Sequence, residues 1–148
     1  MLRTRPGTTT LAERDRRLLA LWAADCAERV LPIFEECCPG DDRPRTAMES
    51  GRAWGHGALD RAEACRAAED AHLAARTADY PPARCAARSA GNAASTAAAT
   101  ADARHAATYA MAAVRQTDDA GAARRERAWQ QRKLPDHLRL TFPTPGSR

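Results

Sequence analysis

The sequence predicts an all-α protein, a compact Ala-rich bundle of about six helices. Three observations carry this. Alanine, the strongest helix former, supplies about a quarter of the 148 residues. The β-branched and aromatic residues that build strands are scarce, with Phe and Tyr each present only twice. The large apolar residues that remain recur at helical spacing. A chain of this length fits one domain. Residues 1–10 read as an N-terminal arm, 11–140 as the single helical domain and 141–148 as a tail.

The first helix is expected over about 11–38. Leu18, Trp22, Cys26, Val30 and Phe34 step by four, and Leu19, Ile33 and Cys37 widen the stripe into a core-facing side. Thr10 is placed to cap it. Pro32 removes a backbone hydrogen bond, which predicts a kink or break over 28–32. Asp25 borders the stripe, four residues before Arg29, and reads first as half of an ordinary helical ion pair.

Pro39-Gly40 ends this helix. Asp41 or Asp42 then caps a second helix that runs to about Gly55, with Pro44 tolerated in its first turn. Arg43 and Arg45 lie at the electropositive start of that helix, so acidic groups are expected to face them: Asp25, Glu35, Glu36 or a partner. Met48, Trp54 and either Gly51 or Arg52 share one side.

A third helix is expected over about 58–77, with an alanine face of Ala64, Ala67, Ala68, Ala71 and Ala75. Pro81-Pro82 opens a fourth to about 100. Gly91 inside it predicts close approach of a neighbouring helix. Thr100 or Asp102 caps a fifth helix to about Gln116. Thr117-Asp118-Asp119 begins a sixth to about Lys133. Leu134-Pro135-Asp136 leads into a short last turn with Leu138 and Leu140.

The formal net charge is +4. Nearly all of the positive charge is arginine, crowded at Arg3, Arg5, Arg14, Arg16 and Arg17 and again from Arg124 to Lys133. These basic ends read as solvated helix faces rather than a nucleic-acid surface. No apolar run approaches the ~18 residues of a membrane span, and the start, Met-Leu-Arg-Thr-Arg-Pro-Gly, has no apolar signal region. The expectation is a cytoplasmic protein that does not enter a membrane. Five cysteines in no C-x-x-C pattern argue for reduced thiols rather than a disulfide framework or a zinc site.

Candidate chemistry is thin. Glu69-x-x-His72 and Asp102-x-x-His105 echo the di-metal pattern of helical bundles, but the 81–100 helix has no acid to complete it. His105 and Tyr109 share a helix face and could work as an acid–base pair. No glycine-rich phosphate loop and no nucleophile elbow is present. The residues point to no catalytic set, no metal and no cofactor.

The stretch Trp22-Ala-Ala-Asp25-Cys-Ala-Glu-Arg-Val-Leu-Pro32-Ile-Phe-Glu35, followed by Asp41-Asp42-Arg43-Pro44-Arg45 and Ala53-Trp54, resembles a family of short bacterial proteins. They are catalogued as immunity proteins and are similar to the fifth class of polymorphic-toxin immunity proteins. The resemblance runs on through Gly91 and Tyr109 to Trp129-Gln130 and Leu134-Pro135, covering about 11–140. It implies an all-helical, non-enzymatic protein that neutralises a cognate toxin by protein–protein contact. A net basic chain is ill suited to cover a basic nuclease cleft, so the toxin is expected to be something else.

The expected contact residues are Asp42, Arg43 and Arg45 beside Asp25 and Trp54, unless the same residues simply lock the first two helices together. The alternative is a small-molecule-binding protein or enzyme of specialised metabolism or self-resistance. Its pocket would lie between the helices, lined by Trp22, Trp54, His105 and Tyr109. A binding module predicts a filled core instead. The sequence also allows a homodimer.

Overall fold

The computed structural model describes residues 12–117 and 119–139. The expected arm and tail, and the caps at Thr10 and Asp118, lie outside the described residues. The described chain holds six α-helices and one short 3₁₀ turn, with no strand among the described residues: α1 Glu13–Cys37, α2 Arg43–Gly55, α3 Arg61–Thr77, α4 Pro81–Ser95, α5 Asp102–Arg115, α6 Ala122–Lys133, and the 3₁₀ turn Asp136–Leu138.

Helix α4 is the centre, packing against α1, α2, α3 and α5. Its sequence explains why. Ala83, Ala86, Ala87, Ser89, Ala90, Gly91, Asn92, Ala93 and Ala94 are all buried, leaving only a narrow edge with Arg84 and Arg88 toward solvent. A helix with so wide a small-residue face belongs in a core. Small residues also let backbones meet. A Cβ built on Gly51 of α2 would lie 2.7 Å from the Ala93 carbonyl oxygen of α4, so only glycine fits that crossing.

Helix α1 supplies the bulk that alanine lacks. Leu19, Trp22, Cys26, Val30, Leu31 and Phe34 are buried along one face. Burial pushes the Cys26 thiol well above its usual pKa, as expected for a thiol serving as a small hydrophobe. All five cysteines are free. Cys37 is exposed rather than in the core, because the stripe has rotated to solvent by the last turn. Helix α1 runs continuously through Pro32, which is exposed, so the helix is not broken there.

Three other element ends differ from expectation. Helix α4 stops at Ser95 rather than near 100. The Thr96 hydroxyl donates to the Asn92 carbonyl at 2.9 Å, and the chain tightens into turns. Such side-chain bonds compete with the helical ladder. Asp102 does not cap α5; its carboxylate accepts from Ser95 Oγ at 2.7 Å instead. Helix α6 starts only at Ala122, because Asp119 first closes a turn by accepting the Gly121 N–H at 3.0 Å.

Buried polar side chains dock on helix carbonyls. Ser89 Oγ donates to Ala106 O at 2.7 Å, tying α4 to α5. Gln130 Nε2 donates to Ala107 O at 2.9 Å, and Trp22 Nε1 donates to Gln130 O at 2.9 Å. Helix α6, with only Glu126 and Gln130 buried, is thus held by polar contacts and by Leu134 and Leu138 beyond it.

Candidate functional site

The residues of the Asp-Arg-Pro-Arg turn lie where α1 and α2 run side by side. Gly40 takes a left-handed φ of 94°, which lets the chain reverse after Pro39. Asp42 occupies the N-cap position but makes no side-chain cap bond and stays exposed. Asp41 does the capping: it accepts from the Arg43 backbone N–H at 3.2 Å and from its Nε and Nη2 at 2.9 and 2.8 Å. Those bonds hold the Asp41 carboxyl below its ordinary pKa.

Two further arginines fasten α2 to α1. Arg45 grips Glu35 with two bonds of 2.6 and 2.8 Å, and the Glu35 pKa falls in consequence. Arg52 reaches Glu28 at 3.0 Å and Asp25 at 2.8 Å. Hydrogen bonds to Glu28 first and Asp25 second raise the Arg52 pKa. Bidentate arginine–carboxylate pairs fix orientation as well as adding energy.

The seam carries more acid than base. The carboxylates that raise the arginine pKa values are Asp41, Asp70 and Asp42 at Arg43, Glu35, Glu49 and Glu28 at Arg45, and Glu28 and Asp25 at Arg52. Asp42 and Glu49 are exposed and make no ion pair with another described residue. The face is therefore acidic although the chain as a whole is basic.

Asp25 does not pair with Arg29. Arg29 turns the other way, giving Glu126 of α6 two bonds of 2.8 and 3.0 Å from Nε, with its guanidinium 4.1 Å above the Trp129 ring. Trp54 is buried with Ala20, Ala64 and Ala97, apart from the main core, and Arg17 covers its ring at 4.6 Å while donating to its carbonyl oxygen. Trp22 is buried in the main core. The enclosed cavity expected between Trp22, Trp54, His105 and Tyr109 is not formed, since the two tryptophans fill separate clusters.

His105 and Tyr109 do come together. They line an open cleft of about 330 Å³ with Thr108 of α5, His72 of α3, and Arg88 and Asn92 of α4. His105 Nδ1 is 3.1 Å from Asp102 Oδ1. Among the described residues, no group of three or more His, Cys, Asp or Glu side chains is placed to hold a metal ion. No helix among them is long and apolar enough to cross a membrane.

A family model described as "Imm-5 like putative immunity protein" matches residues 9–137. The chain belongs to this Imm-5-like family. No curated protein and no solved structure matches it.

In this Imm-5-like chain the structure thus joins Asp25, Asp42, Arg43 and Arg45 on one face. It buries Trp22 and Trp54, and it puts His105 and Tyr109 on another face. Sequence reasoning missed Glu28 and Arg52 as a seam pair. A signal was present: Glu28 and Glu35 are seven apart, as are Arg45 and Arg52, so each pair repeats after two turns on one face. Antiparallel helices then match 28 with 52 and 35 with 45. Arg88 had no comparable signal, because nothing local marks a lone arginine as facing a cleft.

Proposed function

We propose that this protein is an immunity-type binding protein that neutralises a cognate toxin by protein–protein contact, and that it meets the toxin through the α1–α2 seam. The observation that carries the reading is membership of the Imm-5-like family over nearly the whole chain. The geometry supports it in two ways. The two tryptophans expected to line an internal pocket are packed into the core, which favours a surface-binding module over an enclosed-ligand enzyme. The seam also holds its charged side chains in fixed pairs before any partner arrives, which lowers the ordering cost of association.

The local excess of Asp25, Glu28, Glu35, Asp41, Asp42 and Glu49 over Arg43, Arg45 and Arg52 selects a partner with a basic contact face. That revises the expectation drawn from net charge: the partner meets the seam, not the average of the chain. A toxin that grips nucleic acid with a basic surface then fits.

The test is co-expression with candidate toxins, starting with any toxin gene found beside this one, read as growth rescue and co-purification. The reading expects a stable complex that weakens with salt. Asp42→Lys combined with Glu49→Lys should weaken it at least about tenfold through charge reversal, with the fold of the free double variant checked by circular dichroism because both carboxylates also face Arg43 and Arg45. Absence of rescue and of complex, or a complex indifferent to the double substitution, refutes the proposed role or the proposed face respectively.

A further inference from the structure

The cleft between α3, α4 and α5 carries a ligand chemistry that the toxin-binding reading does not use. Its lining residues are His72, Arg88, Asn92, His105, Thr108 and Tyr109, and no carboxylate is among them. Among the described residues, no hydrogen bond or ion pair engages the Arg88 guanidinium, the His72 ring or the Tyr109 hydroxyl. Three side chains able to donate thus line one cleft from three helices without a bonded partner among the described residues.

The remaining groups are acceptors. Thr108 Oγ1 already donates to Arg104 O at 3.0 Å, so it faces the cleft with lone pairs. The Asp102 carboxylate takes the Nδ1 side of His105 at 3.1 Å, and Asp102 is itself held by Ser95 Oγ at 2.7 Å. That pairing puts the proton of neutral His105 on Nδ1 and leaves Nε2 as an acceptor. A ligand for this cleft must therefore be an anion that also donates a hydrogen bond.

A second observation concerns Gly91. Glycine costs about 1 kcal/mol relative to alanine within a helix. The expected reason was close approach of a neighbouring helix, but the neighbour is the His72 ring. A Cβ on Gly91 would lie 2.7 Å from His72 Nε2. The helix gives up a methyl group to seat a polar, half-buried imidazole at the edge of the cleft.

We infer that this cleft binds protonated phosphate, as the free ion or, around and below a second pKa of about 6, as the monoanion of a phosphate monoester. Arg88, His72 and Tyr109 hold the unprotonated oxygens, and the P–O–H group donates to His105 Nε2 or Thr108 Oγ1. A carboxylate or sulfate is acceptor-only near neutral pH and cannot serve the acceptor half. The inference does not rest on the toxin-binding reading.

The His72 titration reports occupancy. Its pKa is lowered from 6.5, first by burial and then by Arg88; Arg76 on its own helix adds to this, and Asp102 at the start of α5 opposes it. A bound anion favours the imidazolium and reverses the shift. The experiment follows the His72 Cε1–H resonance of the full chain through pH in inorganic phosphate and in sulfate at equal ionic strength. Phosphate is expected to raise the His72 pKa with an apparent Kd of roughly 1 mM, and sulfate to do so at least about tenfold more weakly.

Arg88→Gln should abolish the difference between the two salts, whereas Arg124→Gln on α6 should not. Binding of glycerol phosphate as tight as the free ion supports a monoester site, and loss of binding with the ester supports a free-ion site. Identical His72 curves in phosphate and sulfate overturn the proposal. So does a phosphate effect that survives Arg88→Gln.

Discussion

Replacing Gly51 by alanine separates two physical effects of opposite sign. Helix propensity alone says that Gly51→Ala, in the interior of α2, should stabilise the protein by about 1 kcal/mol. The structure says the reverse. The new methyl would lie 2.7 Å from Ala93 O, 2.9 Å from Ala93 C and 3.1 Å from Ala94 N, all backbone atoms of the central helix. No rotamer relieves such contacts; α2 must move away from α4 by several tenths of an ångström. Overpacking of this kind costs about 1–3 kcal/mol, and displacement would also loosen Met48 and Trp54. The net expectation is a loss of up to about 2 kcal/mol once the propensity gain of about 1 kcal/mol is subtracted from the strain. For a domain of this size that lowers Tm by several degrees. Urea and thermal unfolding followed by circular dichroism measure it directly. A Gly51→Ala protein as stable as the parent, or more so, would refute the claim that close α2–α4 contact organises the fold.

Gly91→Ala should behave differently, because the atom it meets is a movable imidazole: stability should change by no more than about 1 kcal/mol, while the phosphate response of His72 disappears from its NMR titration. Arg29→Ala should cost about 3 kcal/mol by leaving the Glu126 carboxylate buried without its cation, and should speed hydrogen exchange in α6 before the rest of the protein. Glu126→Gln should cost less, since it removes the buried charge itself. Acidification should destabilise the seam. The folded pKa values of Glu35 and Asp41 lie below their ordinary 4.5 and 3.8, so their contribution is present above those values and is lost as pH falls through the folded ones. Arg45→Ala should shrink that acid limb in a Tm-versus-pH series while costing no more than about 1 kcal/mol at neutral pH, the pair being about a third exposed.

Much of the fold was legible in the sequence because alanine and helical spacing act locally. The stripe from Leu19 to Phe34, the alanine face of α3 and the proline starts of α2 and α4 needed no tertiary information. The ends of α4 and α6 were not legible. They depend on where Ser95, Thr96 and Asp119 hydroxyl and carboxylate groups find partners, and competing local bonds decide that. The site was legible by half. The turn motif and Asp25 were read as neighbours from spacing alone, and Trp22 was read in the core-facing stripe, but Trp54 was read as a contact residue when its size made it part of the bulk an alanine core lacks. Trp22 and Trp54 are buried because few other side chains here are large enough to fill the space between helices.

The charge of the chain is the one property that composition misdirects. A net charge of +4 describes the sum, yet Coulomb interactions between exposed groups fade within about a Debye length, roughly 8–10 Å. The arginines clustered from Arg124 to Lys133 on α6 act on their own surroundings, and the charges that raise the pKa of Arg43, Arg45 and Arg52 are the nearby carboxylates. A partner docking on the seam therefore meets an acidic face, and one docking on the far end of α6 meets a basic one. Net charge cannot separate these cases, but salt dependence together with the Asp42 and Glu49 reversal can. If binding weakens with salt and is insensitive to that reversal, the contact lies on the α6 side and the toxin surface is acidic. If reversal abolishes binding, the Asp-Arg-Pro-Arg turn serves twice: Asp41 and Arg45 hold α2 in place, and Asp42 is the part left free for the partner.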